Sequence, residues 1–369
     1  MRLGTCIALE LALAAGGVGG LVIGIGHAVD HAGEYFVANQ AVAATASSAA
    51  RVSFEPLPAA TLTLPEQSAS TTPAATETVF GAPDAELLAP VGEGAVTRVK
   101  VNHGGTSLSL RLDFASGARA AFKPEQIHMQ SDPRREIAAY RIDRLLGIGH
   151  VQPTKSFSVR VDELVAAADP GGRAVIADRL ANEAKAKNGV LRGELSWWIA
   201  DIKLAQIGGV QVDDFAARNQ WTRMLKVGAQ VPEDQKEMLA QLATLAVFDV
   251  IIDNPDRWSG GNTRMSPDGK ILYFMDNSMS FSKYEFGHEN NLVVVRRMQV
   301  FPRGLIERLR TLTLEQLTAS VTAGGEETGL APLLSTAELA AIIKRRDNLL
   351  IQVDALIAQY GDAAVLALP

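Results

Sequence analysis

An α+β body is the fold class this sequence predicts, and three features predict it. Leu108, Leu110, Leu112 and Phe114 alternate with polar residues, then Ser116-Gly117 turns the chain into a return strand, Arg119 to Lys123. That is the pattern of a half-buried β-hairpin. From Gln235 to Ile252 the apolar residues cover most of a helical circumference, so this helix is expected to be buried all round. The chain then closes on helices opened by Thr313-Leu-Glu-Gln316 and Ser335-Thr-Ala-Glu338, both with capping-box spacing. The 369 residues suffice for one large domain or a small two-lobed one.

The first 95 residues read differently. Cys6 to Val29 are almost all Ala, Gly, Leu, Ile and Val, and about 20 apolar residues span a bilayer. Residues 1–30 are therefore expected to be a signal peptide or membrane anchor. Arg2 before the stretch places the N-terminus inside and the body outside. Residues 31–95 are expected to be a low-complexity linker, because stretches such as Ala41–Ala50 and Leu62–Thr76 lack the apolar periodicity of a packed element. Such a segment supplies reach from a membrane.

Composition removes several function classes. The net charge is -6 and no basic stripe carries interleaved aromatics, so no nucleic-acid partner is expected. The single cysteine, Cys6, precedes the body, which leaves the body without disulfides or Cys-based metal sites. His103, His128, His150 and His288 lack ligand spacing, which speaks against zinc. No Gly-x-Ser-x-Gly supports a serine hydrolase.

Within the body, Asn102 to Ser107 precedes the hairpin. Backbone N–H groups of Gly104, Gly105, Thr106 and Ser107 can approach phosphate oxygens, and a plain turn explains the same residues. Lys123 ends its strand beside Pro124, as a phosphate-neutralising cation or a solvated strand end. A helix follows from Pro133 to Leu146, stopped by Gly147, with Ala138, Ile142 and Leu145 as its buried stripe. Glu136 in its first turn either meets the helix dipole or pairs with Lys123 or a metal. A strand lysine followed by a glutamate on the next helix is the pairing kinases use to position a nucleotide. Asp162 to Val231 is the least legible stretch, and Trp197-Trp198 within it reads as a core cluster in preference to a substrate-facing patch.

The strongest signal follows the buried helix. Asp253-Asn254-Pro255 breaks it, Pro255 restrains the loop beside Asp256-Arg257, and Gly260-Gly261 turns the chain back to Asn262. A strand from Lys270 to Met275 then delivers Asp276. Two aspartates on the arms of one hairpin, with an asparagine between them, converge on a metal-sized volume. Phosphoryl transfer from a nucleotide needs this set: one carboxylate orients the attacking hydroxyl, and a second carboxylate and an amide hold the metal.

In their order and spacing, Phe122-Lys-Pro124, Glu136 to Gly147 with the following Gly149-His-Val-Gln-Pro153, Asn254-Pro-Asp-Arg257 and Met275-Asp-Asn277 resemble the atypical secretory-pathway kinases, the Golgi casein kinase and four-jointed group. The resemblance covers roughly residues 96 to 300. It implies a two-lobed protein-kinase-like fold over 96–369, with a small β-rich N-lobe to about residue 160 and a mainly helical C-lobe beyond. It implies transfer of the γ-phosphoryl group of ATP to a hydroxyl of a protein or glycan acceptor. On it, Lys123 grips the phosphates and Glu136 pairs with Lys123 or assists the metal. Asp256, with Arg257 beside it, supplies the catalytic base. Asp276, with Asn262 as a second ligand, holds Mg²⁺ or Mn²⁺. The Asp256-to-Asn262 gap is one residue longer than in ordinary kinases, and Trp258 stands where a histidine is frequent. The stapling cysteines of the animal members are absent, which points to a bacterial relative with its body on the outer side of the inner membrane. Two alternatives accompany this reading: an inactive nucleotide-binding pseudokinase scaffold, and a lipid-type or toxin-type kinase.

Overall fold

The alternation that marks the first part of the body builds an antiparallel sheet. The computed structural model describes residues 78–102, 105–259, 261–322 and 329–369, all within the unit Thr72–Pro369. The expected signal or anchor segment, and the linker as far as residue 77, lie outside the described residues. Among the described residues, no helix is long and apolar enough to cross a membrane.

In chain order the elements are α1 (Asp84–Leu88), β1 (Val96–Val101), β2 (Leu110–Phe114), β3 (Arg119–Pro124), α2 (Pro133–Leu145), β4 (Thr154–Arg160), α3 (Val161–Ala167), α4 (Arg173–Glu183) and β5 (Val190–Trp197). Then come β6 (Lys203–Leu204), β7 (Gln206–Ile207), β8 (Val210–Gln211), α5 (Phe215–Met224), α6 (Lys236–Ile252), β9 (Arg264–Met265) and β10 (Leu272–Tyr273). The chain closes with α7 (Glu289–Arg296), α8 (Arg303–Thr311), α9 (Leu314–Thr322), α10 (Thr336–Tyr360) and α11 (Asp362–Val365).

The first sheet runs β1-β2-β3-β5-β4 with every neighbouring pair antiparallel. Period 2 sends Leu110, Leu112, Phe114, Ala120 and Phe122 to one face, into a core shared with Leu164 of α3 and Ile176 and Leu180 of α4. The alternate residues Arg111, Ala121 and Lys123 are turned to the other face, over a cleft. Gly117, at φ +85°, supplies the left-handed step of the β2–β3 hairpin.

Below the cleft, a second core joins α2 to the helices from α5 onward, with α6 at its centre. Leu242, Leu245, Phe248 and Ile251 are all fully buried, which is what the all-round apolar pattern of α6 requires. Thr313 and Gln316 exchange capping hydrogen bonds ahead of α9, and Ser335 and Glu338 form a capping box on α10. The architecture is α+β and two-lobed, as expected.

Two expected boundaries move. Residues 78–95 were assigned to the linker, yet they pack on the body: Phe80 stacks on Tyr273 with centroids 6.0 Å apart, and Asp84 pairs with Arg144 at 2.7 Å. The short α1 carries no apolar periodicity of its own, so its docking by charge and one ring was not visible in sequence. The N-lobe also runs past residue 160, because β5 (Val190–Trp197) inserts between β3 and β4 and carries the sheet to Trp197.

The end of α6 fixes the loop that follows it. Asp253 adopts the left-handed conformation at φ 54° and terminates the helix. One turn earlier, Asp249 pairs with Arg257, Nε to Oδ2 at 3.0 Å, and both side chains are wholly buried. Arg257 also donates to Asn277 Oδ1 at 2.7 Å and to the carbonyls of Asn262 and Met275. One guanidinium thus ties α6 to both arms of the hairpin. Breaking a buried pair leaves an uncompensated charge, which costs about 3–5 kcal/mol. Asp249→Asn is therefore expected to lower the unfolding free energy by about that amount, read as a shift in denaturant midpoint at unchanged slope. A loss within measurement error would contradict the clamp.

Candidate active site

The cleft between the sheet and the helical lobe has a volume of about 1140 Å³. Lys123 enters it from the cleft face of β3, because Phe122 beside it is committed to the sheet core. Its Nζ donates to Glu136 Oε1 at 2.6 Å and to Asp276 Oδ1 at 2.8 Å. Glu136 comes from the first turn of α2, a helix started by Pro133 and capped by the Asp132 side chain on the Arg134 N–H. The second oxygen of Glu136 accepts from the backbone N–H of Asn277 at 2.9 Å. A strand, a helix and a loop distant in sequence therefore meet at one ammonium.

A third carboxyl group belongs to this cluster. Glu194 of β5 stands directly across the ladder from Lys123. The two strands can approach there because residue 193 is glycine: a Cβ at that position would lie 2.2 Å from the Lys123 carbonyl oxygen. Glu194 is buried and accepts from Ser196 Oγ at 2.6 Å. Burial, with the neighbouring Glu136 carboxylate, pushes its pKa up to about 8. Burial works against the charge of Lys123 too, but Asp276, Glu136 and Glu194 together outweigh it and hold the ammonium above the ordinary lysine range. Asp276 moves the other way: the Lys123 charge keeps its carboxyl below the usual carboxylate range.

The opposite wall is the loop predicted after α6. Asn254 is fully buried and donates to the carbonyl of Asp276 at 3.1 Å and to Asn277 Oδ1 at 3.3 Å. Its own side-chain oxygen accepts from the Asp256 N–H at 3.2 Å. Asn262 Nδ2 donates to Asp256 Oδ2 at 2.7 Å and to the Asp256 carbonyl at 3.0 Å. Asp276 follows its strand in a left-handed conformation, φ 56°. A non-glycine residue held there is strained and persists only where its surroundings fix it; the bonds to Lys123 and Asn254 are that constraint.

Most expected site residues meet here. Gly105, Ser107, Lys123, Glu136, Asn262 and Asp276 all line the cleft, and Asp256 is held against Asn262 at its edge. Two expectations need revision. Arg257 is not beside the reacting groups: its guanidinium is fully buried against Asp249, so it supports the loop from behind. Thr106 is exposed and does not line the cleft. Gly104 lies outside the described residues.

Sequence reasoning missed Glu194 and misplaced the tryptophan pair. Glu194 is an acidic residue inside a strand pattern, Leu191-Arg-Gly-Glu-Leu-Ser-Trp197, and a buried charge in a strand interior is a signal that was available. Trp197 packs partly on the sheet core, yet both it and Trp198 line the cleft, where the chain crosses from β5 to the lower lobe. Asp213 was also missed. It accepts from the Gly261 N–H at 2.7 Å and so fixes the turn before Asn262.

Comparison with known proteins agrees with this geometry. A family model described as Fam20C, "Golgi casein kinase, C-terminal, Fam20", matches residues 214–365, the part that holds Asp256, Asn262 and Asp276. The Homo sapiens glycosaminoglycan xylosylkinase is 22% identical, with 73% of this chain and 74% of the relative covered. Among solved structures, the Golgi casein kinase with Mn/ADP bound superposes with a TM-score of 0.60 at 15% identity, covering 77% of this chain and 78% of that one. A hydra Fam20 solved with sugar gives a TM-score of 0.60 at 15% identity, covering 79% and 95%. The structural likenesses show a shared fold, and the family match falls on the stretch that carries the paired aspartates. Over residues 214–365 and in its fold, the chain is similar to the atypical secretory-pathway kinases of the Golgi casein kinase group.

Proposed function

We propose that this Fam20-type kinase transfers the γ-phosphoryl group of ATP to a hydroxyl of a glycan or protein acceptor, with a divalent cation at Asp276 and Asp256 as the base. The observation that carries the reading is the Lys123 ammonium shared between Glu136 and Asp276 at 2.6 and 2.8 Å, on the cleft that also holds Asn262. The solved relative with Mn/ADP supports the choice of nucleotide and metal, and the xylosylkinase and sugar-bound relatives support the acceptor classes.

The donor atoms fit Mg²⁺ or Mn²⁺. Among the described residues no group of three or more His, Cys, Asp or Glu is preassembled around a cation. Such ions take one or two protein oxygens and fill the rest of their shell with water and substrate phosphates. Asp276 uses Oδ1 for Lys123 and Ser278, leaving Oδ2 without a protein partner among the described residues. Asn262 spends its amide nitrogen on Asp256 and Ser259, which leaves its Oδ1 for the same task. When bound there, the cation neutralises charge on the transferring phosphates.

The remaining steps belong to this chain. Lys123 presents a fixed positive charge to the phosphates, oriented by Glu136. One ammonium faces a surplus of carboxyl groups, so the cluster by itself repels phosphate and nucleotide binding becomes metal-dependent. Among the described residues Asp256 keeps Oδ1 free while Asn262 holds Oδ2, and it accepts the proton of the attacking hydroxyl. The wall of fully buried Asp249, Asn254 and Arg257 behind it limits its movement.

Three outcomes are expected. ATP with Mn²⁺ raises the melting temperature of the wild type, by the equivalent of about 2.7 kcal/mol at a hundredfold excess over Kd, and a chelator removes the shift. Asp256→Ala keeps that shift but loses transfer to peptide or sugar acceptors by about 10²–10⁴-fold; the absence of any metal-dependent shift in the wild type would contradict the reading. Glu194 gives a pH signature without nucleotide or metal. Its folded-state pKa of about 8 exceeds the ordinary 4.5, so the folded protein keeps a proton that the unfolded chain releases. That contribution is full below pH 4.5 and is lost as pH rises to about 8. Relative to Glu194→Gln, the wild type should lose melting temperature across this window, and parallel profiles would contradict the assignment.

A further inference from the structure

A second cavity, of about 980 Å³, lies against the helical lobe and shares no lining residue with the cleft. Sites for small organic ligands enclose about 300–1,000 Å³. Its walls are fixed by hydrogen bonds. One is the loop after α5, where the Leu225 carbonyl accepts from the Gln299 and Val300 N–H groups at 2.8 and 3.1 Å, and Gln299 Oε1 accepts from the Val227 N–H at 3.2 Å. Another is the first half of α6, where Gln241 donates to the Lys270 carbonyl and accepts from the Leu272 N–H, each at 2.7 Å. Val79, Met224, Val227, Ile271, Val300 and Leu368 all line the cavity and are only half-buried. They are apolar side chains gathered around one concavity.

The polar groups of this lining say what the cavity would hold. Gln241 is spent on the residues that flank Ile271, and Thr244 donates to the Ala240 carbonyl at 2.9 Å. His150 differs. Its Nδ1 lies 2.6 Å from the Leu272 carbonyl oxygen, and its ring stacks on Phe274 with centroids 4.8 Å apart. A carbonyl only accepts, so Nδ1 carries the proton and Nε2 is left as an acceptor. Nε2 has no hydrogen-bond partner among the described residues. Burial lowers the His150 pKa, which keeps the ring neutral near neutral pH and that lone pair available. Lys226, Lys236, Lys270 and Glu237 also line the cavity, and their mixed signs select no ion.

We propose that this cavity binds a neutral, largely apolar molecule bearing one hydroxyl group, a phenol or an alcohol, whose O–H is donated to His150 Nε2. The apolar lining takes the body of the ligand, which gains by leaving water in proportion to the area covered. The acceptor at His150 sets the orientation, because an ether of the same shape leaves Nε2 unpaired where water is displaced. A carboxylate brings no donor to Nε2 and meets Glu237 as well as the lysines. The site stands apart from the nucleotide reading, since none of its residues lines the cleft.

Fluorescence titration of the full chain, without nucleotide or metal, compares pyrenol with its methyl ether. The wild type is expected to bind pyrenol roughly fivefold more tightly, the worth of one net hydrogen bond. His150→Phe keeps a ring against Phe274 and is expected to bring the two affinities together. Ala240→Trp fills the cavity from α6 and is expected to weaken both probes roughly tenfold. The two wild-type titrations decide even where a variant fails to fold. Equal affinities overturn the proposal, as does the absence of saturable binding, the result if another part of the chain fills the cavity. A preference for pyrenol that survives in folded His150→Phe, or binding unchanged in folded Ala240→Trp, overturns it too.

Discussion

The Lys123 ammonium is the joint on which the molecule depends. A buried lysine is costly unless carboxylates surround it, and here they come from three directions: Glu194 from the same sheet, Glu136 from α2 and Asp276 from the hairpin of the lower lobe. Each is delivered by apolar packing elsewhere. Phe122 fixes the sidedness of β3, and Ile137, Ala138 and Ile142 bind α2 into the helical core. Gly193 permits the close approach that brings Glu194 to the ladder position opposite Lys123. The ion pairs thus bridge the two hydrophobic cores, and the cleft is where the bridging charges remain within reach of solvent.

The lower wall is made rigid by a second set of polar contacts, set in a dry interior. Asp249, Arg257, Asn254 and Asn277 form a connected network with no exposed member. Asp253 and Arg345 extend it to the loop before α7. Asp253 accepts from the His288 N–H at 2.6 Å, and Arg345 donates to the carbonyls of Ile251, Ser282 and Tyr284. Such networks are costly when half satisfied and stiff when complete. The division of labour follows from burial: carboxylates backed by buried arginines hold the frame, while Asp256, Asn262 and Asp276 each keep one oxygen uncommitted among the described residues.

Much of this was legible in sequence where one strong local pattern was enough. Period-2 alternation gave the β2–β3 hairpin, and the apolar circumference of α6 gave its burial. Pro255 and the glycines after it marked the loop that carries Asp256. What was illegible depended on partners far along the chain. Glu194 gains its meaning only from the β3–β5 ladder, and Arg257 looked catalytic beside Asp256 because Asp249, which captures it, lies on the preceding helix. Trp198 reads as core in any local window, and only the crossing between lobes turns it to the cleft. The docking of residues 78–95 rests on Phe80 and Asp84 meeting Tyr273 and Arg144, contacts with no sequence period.

The central claim is that these separated residues surround one triphosphate and its cation. A structure of the protein soaked with Mn²⁺ and a non-hydrolysable ATP analogue tests it most directly. The account requires the cation on Asp276, phosphate oxygens against Lys123 and the terminal phosphoryl group facing Asp256. Nucleotide density elsewhere, or a cation that leaves Asp276 unliganded, would contradict it.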